Sequence, residues 1–231
     1  MIFSPIESGT SLEGHDIPVF KTDIKAQKYL YLLGGVHGDE VEGVYVLKEL
    51  FAWLKQEHSL KDLPMIVVPI LNVDGYRAQT RVNAHHVDLN RNLPTKDWKE
   101  GYKEPRYNPG AKPLSEPENQ FLVKLLDKYK PGLILSFHTW KPILNYNGNC
   151  KDVAEYMASF NKYEIASDIG YPTPGSLGTF AVEKYECPVL TFECPELKKH
   201  RESLKDIWKE NEDCLKSFFQ TDMVWKKLQP N

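Results

Sequence analysis

Short apolar runs alternate with one-faced helical patterns along this chain. Three uninterrupted runs, Lys28–Leu33, Leu133–Phe137 and Val189–Phe192, predict buried strands, and Met65–Leu71 predicts another despite its proline. After the first run, Val41–Lys55 places its apolar residues on one face of a predicted helix. Such alternation of strands and helices is typical of an α/β sheet.

Two further helices and one long loop complete the pattern. Ser115–Glu118 has the spacing of a capping box, which predicts that a helix begins there and ends at Pro131-Gly132. The segment from about Lys199 to Phe219 predicts a closing helix. Tyr76–Leu114 has no strong period and is rich in Asn, Arg and Pro. A loop of this length inside a compact domain is usually functional.

Composition narrows the class of protein. The 231 residues, of which 41% are hydrophobic, fit one domain over residues 1–231. A net charge of −3 with interspersed signs argues against a nucleic-acid partner. No apolar stretch approaches the roughly 20 residues of a membrane span. No Lys or Arg precedes Lys21, so we expect no secretory signal and a cytoplasmic protein. Four cysteines without a CxxC pair predict reduced thiols.

Polar side chains of the kind that bind metals or substrates follow each of the four predicted strands. His37 and Glu40 follow the first strand, Asn72 the second, His138 the third and Glu193 the fourth. In open α/β sheets, ligands bind in the crevice at the carboxyl ends of the strands. We therefore expect these side chains to lie close together.

His37 and Glu40 form an HxxE pair at a predicted strand-to-helix turn, so both can face one ion. Zinc accepts imidazole nitrogen and carboxylate oxygen, and a catalytic zinc site has three protein ligands and one open position. His138 is the best candidate for the third ligand. Asp39 is a competing carboxylate, but Glu40 has the longer reach and the i+3 phase.

The long predicted loop and the turn before it form a polar arc: Asn72–Gly75, Arg81–Ala84 and Val87–Asn92. Turn formation alone can account for its Asn, Asp and Gly residues. Its two arginines indicate more, because a guanidinium binds carboxylates and oxyanions in a bidentate manner. His85-His86 is predicted to be structural or solvent-facing, since adjacent residues of an extended segment point in opposite directions.

Taken together, these segments resemble the zinc carboxypeptidases. Five motifs occur in the order found in that family and span residues from about 30 to 196: His37–Glu40, Asn72–Gly75, Val87–Asn92, Ser136–His138 and Leu190–Glu193. Three more narrow the resemblance to a bacterial branch, the γ-D-glutamyl-meso-diaminopimelate amidases that act on murein tripeptide: Asp97–Gly101, Ser115–Glu118 and Gly170–Ser176. Val73 replaces the proline usual after Asn72, which removes no functional group.

The resemblance implies a fold and a metal centre. The fold is a three-layer α/β/α sandwich with a mixed central sheet. His37, Glu40 and His138 would hold one zinc ion per chain. Asp88 would accept a hydrogen bond from His37 on the side away from the metal.

The resemblance also implies catalytic and substrate-binding roles. Glu193 would act as general base and then as general acid, and Arg81 would face the oxyanion. Asn90 and Arg91 would hold the terminal carboxylate of the substrate. Tyr171 would close over the bound substrate.

The implied function is zinc-dependent hydrolysis of the γ-D-Glu–meso-diaminopimelate amide of murein tripeptide, a small peptide substrate. The alternatives are an aspartoacylase-like N-acyl amino acid deacylase, a general metallocarboxypeptidase and an inactive peptide-binding relative. Tyr171–Ser176 favours the amidase, and the presence of Glu193 and Arg81 argues against an inactive relative. We expect Gly175–Thr179, interpreted as a loop, to read the distal end of diaminopimelate through backbone groups and Thr179.

Overall fold

The computed structural model describes residues 1–60, 62–197, 199 and 201–229. The strands are β1 (Phe3–Pro5), β2 (Gly9–Thr10), β3 (Asp16–Ile17), β4 (Phe20–Thr22), β5 (Tyr29–Gly34), β6 (Met65–Val68), β7 (Pro131–Trp140), β8 (Ile143–Asn147), β9 (Glu164–Ala166) and β10 (Val189–Pro195). The helices are α1 (Val41–Gln56), α2 (Val73–Ala78), α3 (Pro117–Lys128), α4 (Lys151–Asn161), α5 (Leu177–Tyr185), α6 (Leu204–Phe219) and α7 (Met223–Leu228). Two short 3-10 helices cover Leu89–Arg91 and Pro105–Tyr107.

Eight strands form one mixed sheet in the order β1-β4-β6-β5-β7-β10-β8-β9. The four central strands β6, β5, β7 and β10 run parallel, whereas β4 and β8 flank them in antiparallel pairing. Parallel strands buried on both faces are nearly continuous apolar runs, which is why the sequence predicted these four. Strand β6 ends at Val68 rather than at Leu71. Pro69 has no N–H for a ladder hydrogen bond, so the predicted end was wrong.

Alternate side chains of the sheet pack into two cores, one on each face. On β5, Leu30 and Leu32 face one core, while Tyr29, Tyr31 and Leu33 face the other. Helices α1, α4, α6 and α7 cover the first core, and α3 and α5 cover the second. The predicted three-layer α/β/α sandwich with a mixed central sheet is therefore confirmed.

The predicted capping box at Ser115 is wrong. Helix α3 begins at Pro117, and Glu116 occupies the N-cap position without a side-chain capping bond. The Ser115 hydroxyl donates to Glu116 Oε1 and accepts from Asn92 Nδ2, so it is committed to the loop before the helix. Proline fits the first helical position because its missing N–H has no partner there.

Two other predicted boundaries also differ from the structure. Helix α6 begins at Leu204, five residues after the predicted start, because the Ser203 side chain caps it by accepting from the Asp206 amide. Residues 198 and 200 lie outside the described residues. Gly175–Thr179 is not a loop throughout, since Ser176 caps α5 through the Thr179 amide.

All four cysteines are buried and unpaired. Cys187 lies in one core and Cys194 in the other, so the two thiols are on opposite faces of the sheet. Within the described residues, no helix has the combination of length and apolarity that crossing a bilayer requires.

Gly43 allows α1 to pack closely on β7, and its replacement tests this contact. A Cβ at this position would lie 2.9 Å from the backbone oxygen of His138 and 3.0 Å from its nitrogen. We expect Gly43→Ala to lower the free energy of unfolding by about 1–3 kcal/mol, because the clash is with backbone. Urea denaturation measures this loss. Lys48→Ala, at an exposed position of the same helix, is the control and should stay within about 0.5 kcal/mol of wild type. Equal stability of all three proteins would contradict the packing argument.

Candidate active site

Three predicted metal ligands converge at the carboxyl end of the parallel strands. His37 and Glu40 lie in the turn between β5 and α1, and His138 lies on β7. The Nδ1 atoms of His37 and His138 are 3.2 Å apart and lie 2.6 and 2.8 Å from the two carboxylate oxygens of Glu40. All three residues are at most 9% exposed.

The far side of each imidazole is held by a second polar group. Nε2 of His37 lies 3.1 Å from Asp88 Oδ1, and Nε2 of His138 lies 3.0 Å from Ser136 Oγ. Histidines that bind a metal commonly use one ring nitrogen for the ion and the other for such a partner. Two imidazole nitrogens and one carboxylate, buried and aimed at one point, form a donor set that fits zinc.

Arg81 links the cluster to Asp88. Its guanidinium donates to Asp88 Oδ2 through Nη2 at 2.9 Å and through Nε at 3.2 Å, and Nη1 lies 3.3 Å from Glu40 Oε1. Burial opposes ionisation of Asp88, but Arg81 and His37 outweigh it and hold the pKa of that carboxyl well below its usual range. The pKa of Glu40 is likewise low, because His37 and His138 overcome the effect of its burial.

Glu193 lies beside the cluster on the adjacent strand. In the parallel pairing of β7 and β10, Glu193 is the register partner of His138. Burial raises the pKa of Glu193 to about 7, against a lowering effect of His138. Among the described residues, none forms a hydrogen bond with this carboxylate. A half-buried carboxylate with a raised pKa and no hydrogen-bond partner can accept and return a proton.

His138 and Glu193 lie within their strands, not after them as predicted. Strand β7 continues to Trp140 and β10 to Pro195. The apolar runs end at Phe137 and Phe192, but the backbone ladder continues beyond them.

The remaining predicted residues line the same cavity, which has a volume of about 330 Å³. Arg91 is 5% exposed, and its Nη1 donates to the backbone oxygen of Asn90. The side-chain oxygen of Asn90 accepts from the Leu177 amide at 2.8 Å, which ties this wall to the start of α5. Tyr171 is 41% exposed at the rim, and its ring contacts that of Trp140. The cavity therefore brings together the three predicted metal ligands, Glu193, Arg81, Asn90, Arg91 and Tyr171, whereas Asp88 lies behind His37 and neither Asn72 nor Thr179 lines the cavity.

The sequence did not predict three polar residues that line the cavity and that we call its floor: Asn145, Asn147 and Thr191. Asn145 on β8 is the register partner of Thr191 on β10, and both line the cavity together with Asn147. A Cβ on Gly178 would lie 2.1 Å from Asn147 Oδ1, so glycine leaves the space for this amide. The alternation of apolar and polar residues in β8 was the available signal for a half-buried strand. Thr179, expected to line this wall, instead contacts Ser176 Oγ.

The competing candidates lie outside the cluster. Asp39 is exposed, and His85 is 55% exposed with its Nδ1 2.9 Å from Glu116 Oε2. A second group of possible ligands, Glu13, His15 and Asp74, lies at the β2–β3 ribbon. Both oxygens of Asp74 already accept hydrogen bonds from this ribbon, so the group joins the ribbon to α2.

Comparison with known proteins identifies the family of this chain. The family model described as zinc carboxypeptidase (Peptidase_M14) matches residues 2–155. The chain belongs to the zinc carboxypeptidase family. This zinc carboxypeptidase is 31% identical to murein peptide amidase A of Escherichia coli K12 over 216 residues, which are 87% of this chain and 85% of that protein. It is 29% identical to murein peptide amidase A of Vibrio campbellii over 84% of this chain and 80% of that protein.

A solved structure extends the comparison to the whole fold. The crystal structure of the murein-tripeptide amidase MpaA from Escherichia coli O157 superposes with a TM-score of 0.76 at 28% identity. The match covers 100% of this chain and 95% of that one. The predicted resemblance to this family and to its murein amidase branch is confirmed.

Asp88→Asn tests the buried ion pair with Arg81. The substitution keeps the shape but removes the buried charge that pairs with Arg81, which then keeps only its longer contact with Glu40, so we expect a loss of about 3 kcal/mol in unfolding free energy at pH 7. Because the pKa of Asp88 is lower in the folded than in the unfolded protein, wild type loses this advantage as the pH falls below about 4. Urea denaturation of metal-free protein from pH 7 to pH 3 measures the difference. Asp97→Asn, at an exposed carboxylate that accepts a hydrogen bond from Thr95, is the control. A difference between wild type and Asp88→Asn that grows on acidification would contradict the assignment.

Proposed function

We propose that this protein is a zinc-dependent hydrolase that cleaves the γ-D-Glu–meso-diaminopimelate amide of murein tripeptide. The observation that carries the proposal is the convergence of two histidines and Glu40 beside the half-buried Glu193, in one cavity with Arg91. The similarity to murein peptide amidases over most of the chain supports the choice of substrate.

In this proposal His37, Glu40 and His138 hold one zinc ion per chain. Bound zinc supplies Lewis-acid polarisation of the scissile carbonyl. Asp88 and Ser136 fix the orientation of the two imidazoles through their Nε2 atoms. The Nδ1 atoms of His37 and His138, which face Glu40, are then directed at the proposed zinc position.

Glu193 moves the protons of the reaction. As general base it takes a proton from the attacking water, and as general acid it delivers that proton to the nitrogen of the leaving amine. Its carboxylate accepts no hydrogen bond from any described residue, so both oxygens are available for these transfers. Arg81 provides a fixed positive charge for the oxyanion that develops on the carbonyl oxygen.

Asn90 and Arg91 bind the free carboxylate next to the scissile amide. Arg91 is buried and, within the described residues, makes no ion pair. A buried guanidinium without an acidic partner is costly until a substrate carboxylate pairs with it. Tyr171, at the rim, closes this end of the cavity over the substrate.

The floor of the cavity suits the distal end of diaminopimelate, which carries both an ammonium and a carboxylate group. Asn145, Asn147 and Thr191 offer neutral donors and acceptors. A carboxamide can pair with both charges of a zwitterion, since it has an N–H donor and a carbonyl acceptor. We place the recognition of diaminopimelate at this floor.

The single domain over residues 1–231 and the cytoplasmic location stay predictions.

The zinc assignment predicts that purified wild-type protein contains about one zinc ion per chain. His138→Ala should reduce zinc content to a small fraction, because a site with two protein ligands rarely retains the ion. Elemental analysis after dialysis gives the measurement. His85→Ala is the matched control and should keep full zinc content. Full occupancy in His138→Ala would exclude His138 as a ligand.

The substrate assignment is tested with L-Ala-γ-D-Glu-meso-diaminopimelate and the same tripeptide ending in L-Lys. Replacement by Lys removes the distal carboxylate and leaves polar groups on the floor unpaired, so kcat/KM should fall by about 100-fold or more. Measurement of amine release with zinc-loaded enzyme gives both values.

Glu193→Gln should bind zinc and lose nearly all turnover, because a carboxamide cannot accept the proton.

An ordinary α-linked dipeptide completes the panel. If it is cleaved faster than either tripeptide, the proposed substrate is wrong and general metallocarboxypeptidase activity replaces it. Preferential cleavage of N-acyl amino acids would instead indicate a deacylase.

A further inference from the structure

Three arginines surround one aromatic ring in the cavity wall. The guanidinium carbons of Arg81, Arg91 and Arg106 lie 5.4, 5.5 and 5.4 Å from the centroid of the Tyr107 ring. The backbone oxygen of Arg106 also accepts from Arg81 Nε at 3.2 Å, which fixes the 3-10 helix of Arg106 beside the metal cluster. Stacking on an aromatic face orients a guanidinium while leaving its N–H groups free.

Among the residues that the structure describes, acidic side chains pair with only one of these three arginines. Arg81 pairs with Asp88 and Glu40, whereas Arg91 and Arg106 make no ion pair with any residue in the described ranges. The other cation of the cavity wall, Lys199, is already paired with Glu196. Holding guanidinium groups together without counter-charges is unfavourable, so this arrangement indicates a ligand with more than one carboxylate.

The two unpaired arginines differ in depth. Arg91 is 5% exposed at the enclosed end, where the terminal carboxylate is placed in the proposed function. Arg106 is exposed and lies at the open side of the same cavity. In an enzyme that binds a chain terminus at the closed end, the acyl part of the substrate extends towards the open side. Arg106 is therefore on the acyl side of the scissile amide.

We propose that Arg106, oriented by Tyr107, binds the free α-carboxylate of the γ-linked D-Glu residue and so distinguishes γ-glutamyl amides from ordinary peptides. This inference rests on the proposed function. A γ-glutamyl amide has a carboxylate on each side of the scissile bond, whereas an α-linked peptide has none on its acyl side at this position. The cavity offers one unpaired guanidinium for each of the two carboxylates.

The test pairs a change in the protein with a change in the substrate. The tripeptide L-Ala-γ-D-Glu-meso-diaminopimelate is compared with its analogue in which the D-Glu α-carboxylate is a primary amide. Wild type should prefer the acid by about 10- to 100-fold in kcat/KM, the range of one charge-assisted hydrogen bond. In Arg106→Gln, kcat/KM for the tripeptide acid should fall by this factor, while kcat/KM for the primary-amide analogue should change little. Arg106→Lys should retain part of the preference for the acid.

Lys103→Gln is the matched control, because it removes an exposed positive charge from the same loop without lining the cavity. It should keep the wild-type preference. Equal cleavage of acid and amide by wild type overturns this inference alone, as does an equal loss on both substrates in Arg106→Gln. If zinc-loaded wild type cleaves neither tripeptide, the proposed function is wrong and this inference is wrong with it.

Discussion

Glu40 is a carboxylate in a place where an unpaired negative charge would cost several kcal/mol. It is compensated from three directions, by the two imidazoles of the cluster, by Arg81 and by the Thr139 amide at 3.2 Å. These partners come from three parts of the chain, so this one charge holds together the turn after β5 (His37), the end of β7 (His138 and Thr139) and the long loop (Arg81). The site can form only where these three segments meet.

The long loop has its own buried polar framework. Asn83 Nδ2 donates to Glu116 at 2.8 Å and to Glu118 at 3.1 Å, and all three residues are at most 2% exposed. Asn92 Nδ2 donates to the backbone oxygens of residues 109 and 112. These bonds anchor both sides of the segment that contains Asp88 and Arg91. A loop without apolar periodicity is thus kept in one conformation by hydrogen bonds, each of which must be made because its groups are buried.

The sequence predicted the centre of the fold better than its edges. Strands β5, β6, β7 and β10 were found because a strand buried on both faces is apolar throughout. Strands β1 to β4, β8 and β9 are two to five residues long and partly exposed, so they leave no apolar run and, in β8, only a short alternation of apolar and polar residues. Strand ends were misplaced at His138 and Glu193 because backbone hydrogen bonds continue where apolar side chains stop.

In the candidate site, too, some residues could be predicted from the sequence and others could not. The convergence of His37, Glu40 and His138 could be predicted because few residue types suit a zinc site and their spacing is restricted. Asn145 and Arg106 could not, since asparagine and arginine are common on surfaces and only the tertiary fold places them in the cavity. Their positions follow from the register of β8 and from a short 3-10 helix, which no local pattern specifies.

The separation of the two histidines along the chain has a consequence for the order of folding. His37 and His138 are 101 residues apart, and they meet only after β5 has paired with β7. Contacts over such a distance close late and slowly, because the entropy of the intervening chain must be lost first. A metal ion therefore cannot act as a template for early folding here. It would bind to a sheet that has already assembled, and it would slow unfolding more than it accelerates folding.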